Sequence, residues 1–168
     1  MINYGSQYQV PAMSRKALRG LAVEIRKIFN INSAYFPVTK ILESLTVIGI
    51  DYDYIEDNDW EKEYGKEKHA EFSLNEKIIR IKESVYENAV NNNGRDRFTI
   101  THEIAHAILL DLPEIKLARE FDVHGKNLCR NPEWQADCLA GELLVPFDKC
   151  ATLSPEERSE ERRVGKEC

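Results

Sequence analysis

The chain lacks the cysteine spacing that a disulfide framework or a thiolate metal site would need. Its cysteines, Cys129, Cys138, Cys150 and Cys168, form no CxxC pair and no zinc-knuckle pattern. Free thiols in a reducing cytosol, and so a cytoplasmic protein, are the expectation. No apolar run nears the roughly 20 residues that a membrane-spanning helix requires. The opening stretch MINYGSQYQVPAMSRK has no apolar core ahead of a cleavage site, so it does not read as a secretory signal. Basic charge is in deficit, 23 Lys and Arg against 29 Asp and Glu, for a net charge of −6. That argues against direct nucleic-acid binding by this domain, although an acidic protein can still act on a DNA-binding protein. Internal repeats and low-complexity tracts are missing as well. What is present is 168 residues, 42% hydrophobic and 31% charged, the profile of one globular domain with a single sizeable core.

The last eleven residues, RSEERRVGKEC, read differently from the rest. They resemble the frame translation of a common sequencing-library adapter, residue for residue. Residues 158–168 are therefore set aside from fold reasoning, which removes a charge of +1 and leaves −7. On this reading residues 1–157 are a single domain whose natural sequence continues further.

Ser14 is placed to cap a helix with apolar positions at Leu18, Leu21, Ala22, Ile25, Ile28 and Phe29. Pro37 suits the first turn of a second helix carrying Val38, Ile41, Leu42 and Leu45 on one side. The run TVIGIDYDYI, 46–55, is rich in β-formers and reads as a strand, and DNDWEKEYGKEKH after it as a charged loop. AEFSLNEKIIRIKE reads as a hairpin turning near Asn75 and Glu76, its second strand 78–82 serving equally well as an edge or a core strand. NNNGRD, 91–96, is turn chemistry. The architecture expected is α+β, a small sheet packed with helices.

Half of the four histidines lie in RFTITHEIAHAILL, 97–110. Thr101 or Asp96 would cap a helix here, and Pro113 would stop it. Residues at i and i+4 lie one turn apart on one helix face, which sets His102 and His106 side by side, able to share one cation. The bland alternative is a buried helix that happens to carry two imidazoles. A catalytic zinc needs a third protein ligand and an open position. NPEWQADCLAGELLVP, 131–146, supplies a candidate. Asn131 and Pro132 open a helix, Glu133 and Asp137 share one face, and Ala136 and Ala140 would let it approach the histidine helix closely. Glu133 then completes the ligand set, and Asp137 accepts the other ring N–H of a histidine, most naturally His102.

These two stretches, RDRFTITHEIAH (95–106) and EWQADCLAGELLVP (133–146), resemble the motifs of the ImmA/IrrE family of metallo-endopeptidases. The resemblance implies a zincin-like fold and a gluzincin-type site. His102, His106 and Glu133 would hold one Zn²⁺, and Glu103 would act as general base. It also implies a substrate or partner, a helix-turn-helix transcriptional repressor in mobile-element or stress regulation. Two positions depart from the family pattern: Leu139 stands where a small or aromatic residue is common, and Asp137 replaces the commoner asparagine. An oxyanion stabiliser is also needed, for which His124, Tyr86 and Arg97 are the candidates, while His69 reads as a surface residue. The competing function is a metal-stabilised module that docks a repressor without cutting it. Such a module would need the ligands but not Glu103, so the presence of Glu103 favours an enzyme.

Overall fold

A computed structural model describes residues 10–111 and 127–151. The elements run α1 (Arg15–Ile28), α2 (Val38–Thr46), β1 (Asp51–Ile55), α3 (Asp57–Tyr64), β2 (Ala70–Ser73), β3 (Ile78–Lys82), α4 (Glu83–Val90), α5 (Gly94–Asp111), a 3-10 turn (Asn127–Arg130), α6 (Pro132–Leu144) and α7 (Phe147–Cys150). The protein is α+β, as its sequence pattern implies. The charged segment 158–168 and His124 lie outside the described residues. Among the described residues no helix is long and apolar enough to cross a membrane.

The sheet has the order β1-β3-β2. β2 and β3 form the expected antiparallel hairpin, and β1 pairs parallel to β3 on its other side. Strand 78–82 is therefore the central strand, with Ile79 and Ile81 fully buried, and β2 takes the edge. Lys82 N–H donates to the His69 carbonyl at 3.0 Å, which marks that pair as hydrogen-bonded. Alternation along an antiparallel ladder then makes Ala70–Ile81 and Phe72–Ile79 the non-hydrogen-bonded pairs. The backbone groups of Ala70 and Phe72 thus turn away from β3, toward the side of β2 that has no strand partner among the described residues.

Three expectations need correction. The strand foreseen over 46–55 is only Asp51–Ile55. Thr46 still belongs to α2, and the chain turns at Gly49, whose φ of +86° suits a residue without Cβ. Val47 and Ile48, which mimic strand residues in the sequence, are 86% and 50% exposed. The charged stretch expected to be a loop contains α3 instead. Asp57 and Asp59 favour its N-terminus, Trp60 anchors it with no exposed surface, and the Trp60 indole N–H donates to the Lys68 carbonyl at 2.7 Å. The histidine helix begins earlier than foreseen, at Gly94, where the Asn93 side chain accepts from Asp96 N–H at 3.1 Å. Neither Thr101 nor Asp96 caps it. Thr101 is buried within the helix and its hydroxyl bonds back to the Arg97 carbonyl at 2.7 Å.

α5 is the central helix. Ile100, Ile104, Ala105, Ala107, Ile108 and Leu109 are all 0–1% exposed, so it is enclosed on almost every side. α6 lies against it through the fully buried Ala136, Leu139, Ala140 and Leu143. The two alanines carry only a methyl each, and that is what lets the two helix backbones come close. On its other side α6 packs against α1.

Candidate metal centre

α5 presents His102 and His106 on one face, one turn apart, as their spacing requires. Their Nε2 atoms meet at 3.0 Å. α6 begins where Asn131 caps it, its side-chain oxygen accepting from Glu133 N–H at 2.8 Å and Trp134 N–H at 3.2 Å. That cap fixes the first turn of α6 and so aims Glu133 across at the histidines. One Glu133 oxygen lies 3.2 Å from His102 Nε2 and the other 3.3 Å from His106 Nε2. Together the three side chains form a group able to hold a metal ion, with ligand atoms all within 4.8 Å of one another.

The spacing tests the fit. For metal–ligand bonds of about 2.0–2.1 Å, a tetrahedral face has edges of about 3.3 Å. The two Nε2 atoms are 3.0 Å apart and each lies 3.2–3.3 Å from a different Glu133 oxygen, so these pairwise spacings are near that value, while one oxygen per carboxylate keeps all three ligand atoms within 4.8 Å. The donor set of two imidazoles and one carboxylate is the set that zinc takes in open sites. Asp137, one turn beyond Glu133, holds the far side of the first ligand, its Oδ1 lying 2.8 Å from His102 Nδ1. A ring whose Nδ1–H is held by a carboxylate has Nε2 as its ligand atom, available to a metal once that nitrogen has lost its proton.

Charge within the site is balanced by these contacts. Burial pulls the His102 pKa down, but the hydrogen bonds to Asp137 and Glu133 outweigh it and lift it to about 10. Glu133 is held well below the usual carboxylate range, chiefly by its hydrogen bonds to His102 and His106. Glu103, beside the first histidine, behaves in the opposite way. Burial raises its pKa, and the nearby histidines and a hydrogen bond from the Phe72 backbone N–H only partly offset that. The Phe72 bond comes from the outward-facing side of β2, so the edge of the sheet that is unpaired among the described residues runs beside the Glu103 carboxylate. No sequence signal could have shown this contact, because its donor is main chain.

The candidates for oxyanion stabiliser are placed elsewhere. Arg97 is 1% exposed, bonds the Phe36 carbonyl at 2.9 Å and Asn92 Oδ1 at 3.0 Å, and lies over the Tyr35 ring. At about 100° per residue it sits about 140° around the helix from His102 and on the face opposite His106. Tyr86 stacks on Tyr54 and Tyr52 of β1, the sheet edge remote from β2. His69 is half-buried rather than on the surface, and its Nε2 lies 3.0 Å from the Arg95 guanidinium. His124 lies outside the described residues.

Compared with known proteins, residues 55–167 match the family model described as the IrrE N-terminal-like domain, a peptidase family. The match spans more than half of the chain and takes in α3 to α7, the sheet strands β2 and β3, and all three candidate ligands. No curated protein and no solved structure matches.

Proposed function

Because this chain belongs to the IrrE N-terminal-like peptidase family, we propose that it is a zinc-dependent endopeptidase that cuts a peptide bond in a helix-turn-helix transcriptional repressor. The observation that carries the hydrolytic reading is the convergence of His102, His106 and Glu133 at 3.0–3.3 Å, with a half-buried Glu103 alongside and a strand edge that is unpaired among the described residues next to it. The repressor as substrate rests on the family resemblance of the two motifs.

His102, His106 and Glu133 hold the ion. When bound, it supplies the Lewis acidity that makes a water nucleophilic near neutral pH and polarises a peptide carbonyl. Asp137 would keep the His102 ring oriented with its Nδ1–H held by the carboxylate, which makes Nε2 the more basic ligand atom once its proton is displaced. Glu103 is the general base. Its carboxylate takes the water's proton as the water attacks, and the resulting acid returns that proton to the departing amine nitrogen. The raised pKa of Glu103 suits this exchange, since a carboxylate held above its ordinary pKa is the stronger base when it takes the proton and can still return it as an acid. An extended substrate segment pairs along the open side of β2, adding a strand to the sheet. This places its main chain parallel to the Glu103-bearing face of α5, a role that central β3 is in no position to play.

The reading is tested with Glu103→Gln. The variant should keep its zinc and lose cleavage of a co-expressed repressor by several orders of magnitude. Normal cleavage by Glu103→Gln would remove Glu103 from the mechanism.

A further inference from the structure

Residues 10–50 lie outside the stretch matched by the family model, yet they hold the helix that carries the third ligand. Val10, Ala12 and Met13 are 6%, 3% and 4% exposed, so this entry segment is packed into the molecule like a core element. Its contacts go to α6 and the turn leading into it. Met13 N–H donates to the Cys129 carbonyl at 3.0 Å. Gln135, fully buried on α6, donates from its side-chain amide to the Pro11 carbonyl at 2.9 Å and to the Cys129 carbonyl at 2.6 Å. A single amide group therefore ties three segments together: residues 11–13, the 3-10 turn Asn127–Arg130, and the first turns of α6. Glu133 is two residues before Gln135, and Asn131, its cap, directly follows the turn that Gln135 secures.

We propose that Gln135, clasped to residues 11–13, is a positioning residue for the metal centre. It sets the register and tilt of the first turn of α6, and through them the reach of Glu133 to His102 and His106. His102 and His106 are fixed by α5, which is buried on nearly all sides. Glu133 instead stands in the first turn of its helix, and its side chain is 44% exposed. Its placement depends on what holds that start. The cap supplied by Asn131 orders the turn internally but does not anchor it to the rest of the protein. Gln135 supplies the anchor. The far end of α6 has a separate tie, where Arg19 bonds Glu142 through two contacts of 3.0 Å. That tie is about ten residues from the ligand and serves as an internal comparison.

This inference rests on the metal-centre reading above. The test loads Co²⁺ into the full chain and follows its visible ligand-field spectrum, with affinity obtained by chelator competition. Wild type, Gln135→Met and Arg19→Gln are compared, and thermal unfolding of each metal-free protein is recorded alongside. Gln135→Met should bind Co²⁺ about tenfold more weakly, the low end of the effect of residues that orient ligands, with an altered spectrum. Arg19→Gln should lower stability while leaving affinity and spectrum unchanged. If Gln135→Met does not fold, Met13→Ala loosens the same segment without touching α6 and should show the same spectral change to a lesser degree. A wild-type affinity and spectrum in the folded Gln135→Met or Met13→Ala protein would overturn the proposal while leaving the metal centre intact. Equal weakening by Arg19→Gln would also overturn it, since the effect would then follow stability rather than position. No Co²⁺ uptake by the wild type would overturn the metal centre itself, and the proposal with it.

Discussion

In the metal-free protein the hydrogen bonds to Asp137 and Glu133 hold the His102 pKa up at about 10, so a metal that binds there is expected to displace a proton. With a pKa of about 10, the ring is protonated in all but about one molecule in a thousand at pH 7. Three pH units at 1.36 kcal/mol each set the cost of neutralising it on the order of 4 kcal/mol, which is drawn from the binding free energy. Two consequences are measurable. Binding releases at least one proton per ion near neutral pH, readable by titration calorimetry in buffers of different ionisation enthalpy. Apparent affinity also rises about tenfold per pH unit from about pH 6 to 8, because the whole range lies below the His102 pKa. Substituting Asp137 with Ala removes one of the two carboxylates that hydrogen-bond to this ring. It should reduce the proton release on binding and weaken metal binding by about tenfold to a hundredfold. Metal binding with no proton release and a flat pH profile would refute this account of the site's electrostatics.

Stability of the metal-free protein should follow the same groups. The raised pKa of His102 contributes stability that is complete below about 6.5 and lost as pH climbs toward 10, so the melting temperature falls across that interval. The depressed pKa of Glu133 contributes stability present above about 4.5 and lost on acidification, so a fall on the acid side is expected too. Zinc should flatten the alkaline arm, because the metal-bound ring carries no proton to lose; an alkaline arm unchanged by zinc would count against His102 as a ligand. Ala136→Leu should destabilise by about 1–3 kcal/mol through overpacking between α5 and α6, and weaken metal binding by separating Glu133 from the histidines. Chemical denaturation and metal titration of that variant check both halves. Trp60→Ala should cost about 3–5 kcal/mol, since a fully buried indole and its hydrogen bond to Lys68 are lost together. A loss under about 1 kcal/mol in denaturant would mean that α3 is no part of the core.

The metal-ligand geometry was legible in the sequence because it depends on local periodicity. Two histidines at i, i+4, and a glutamate and aspartate at i, i+4 behind an Asn-Pro start, meet wherever two helices approach. The alanines at 136 and 140 indicated that they could. Elements defined by distant partners were harder to read. Val47 and Ile48 look like strand residues, but the strand exists only where β1 meets β3, from Asp51 onward. The central place of β3 depends on a parallel partner that arrives through a crossover, which alternation within 78–82 does not encode. α3 shows a single apolar anchor, Trp60, too little to display a helical period amid charges. The helix α4 was not foreseen at all, lying between the hairpin and the asparagine tract. Buried polar residues were the least visible. Arg97 and Gln135 read as surface or site residues by type, yet each is enclosed and bonded to main-chain carbonyls from distant segments. Such partners are chosen by the tertiary fold, and a carbonyl has no letter in the sequence.

The central claim is that His102, His106 and Glu133 hold one catalytic zinc. Elemental mass spectrometry on the purified protein and on Glu133→Ala tests it most directly. The account predicts about one zinc per chain in the wild type and a clear loss in the variant, with both proteins folded by circular dichroism. A folded wild type without stoichiometric metal, or a Glu133→Ala variant that keeps its zinc at full affinity, would contradict it.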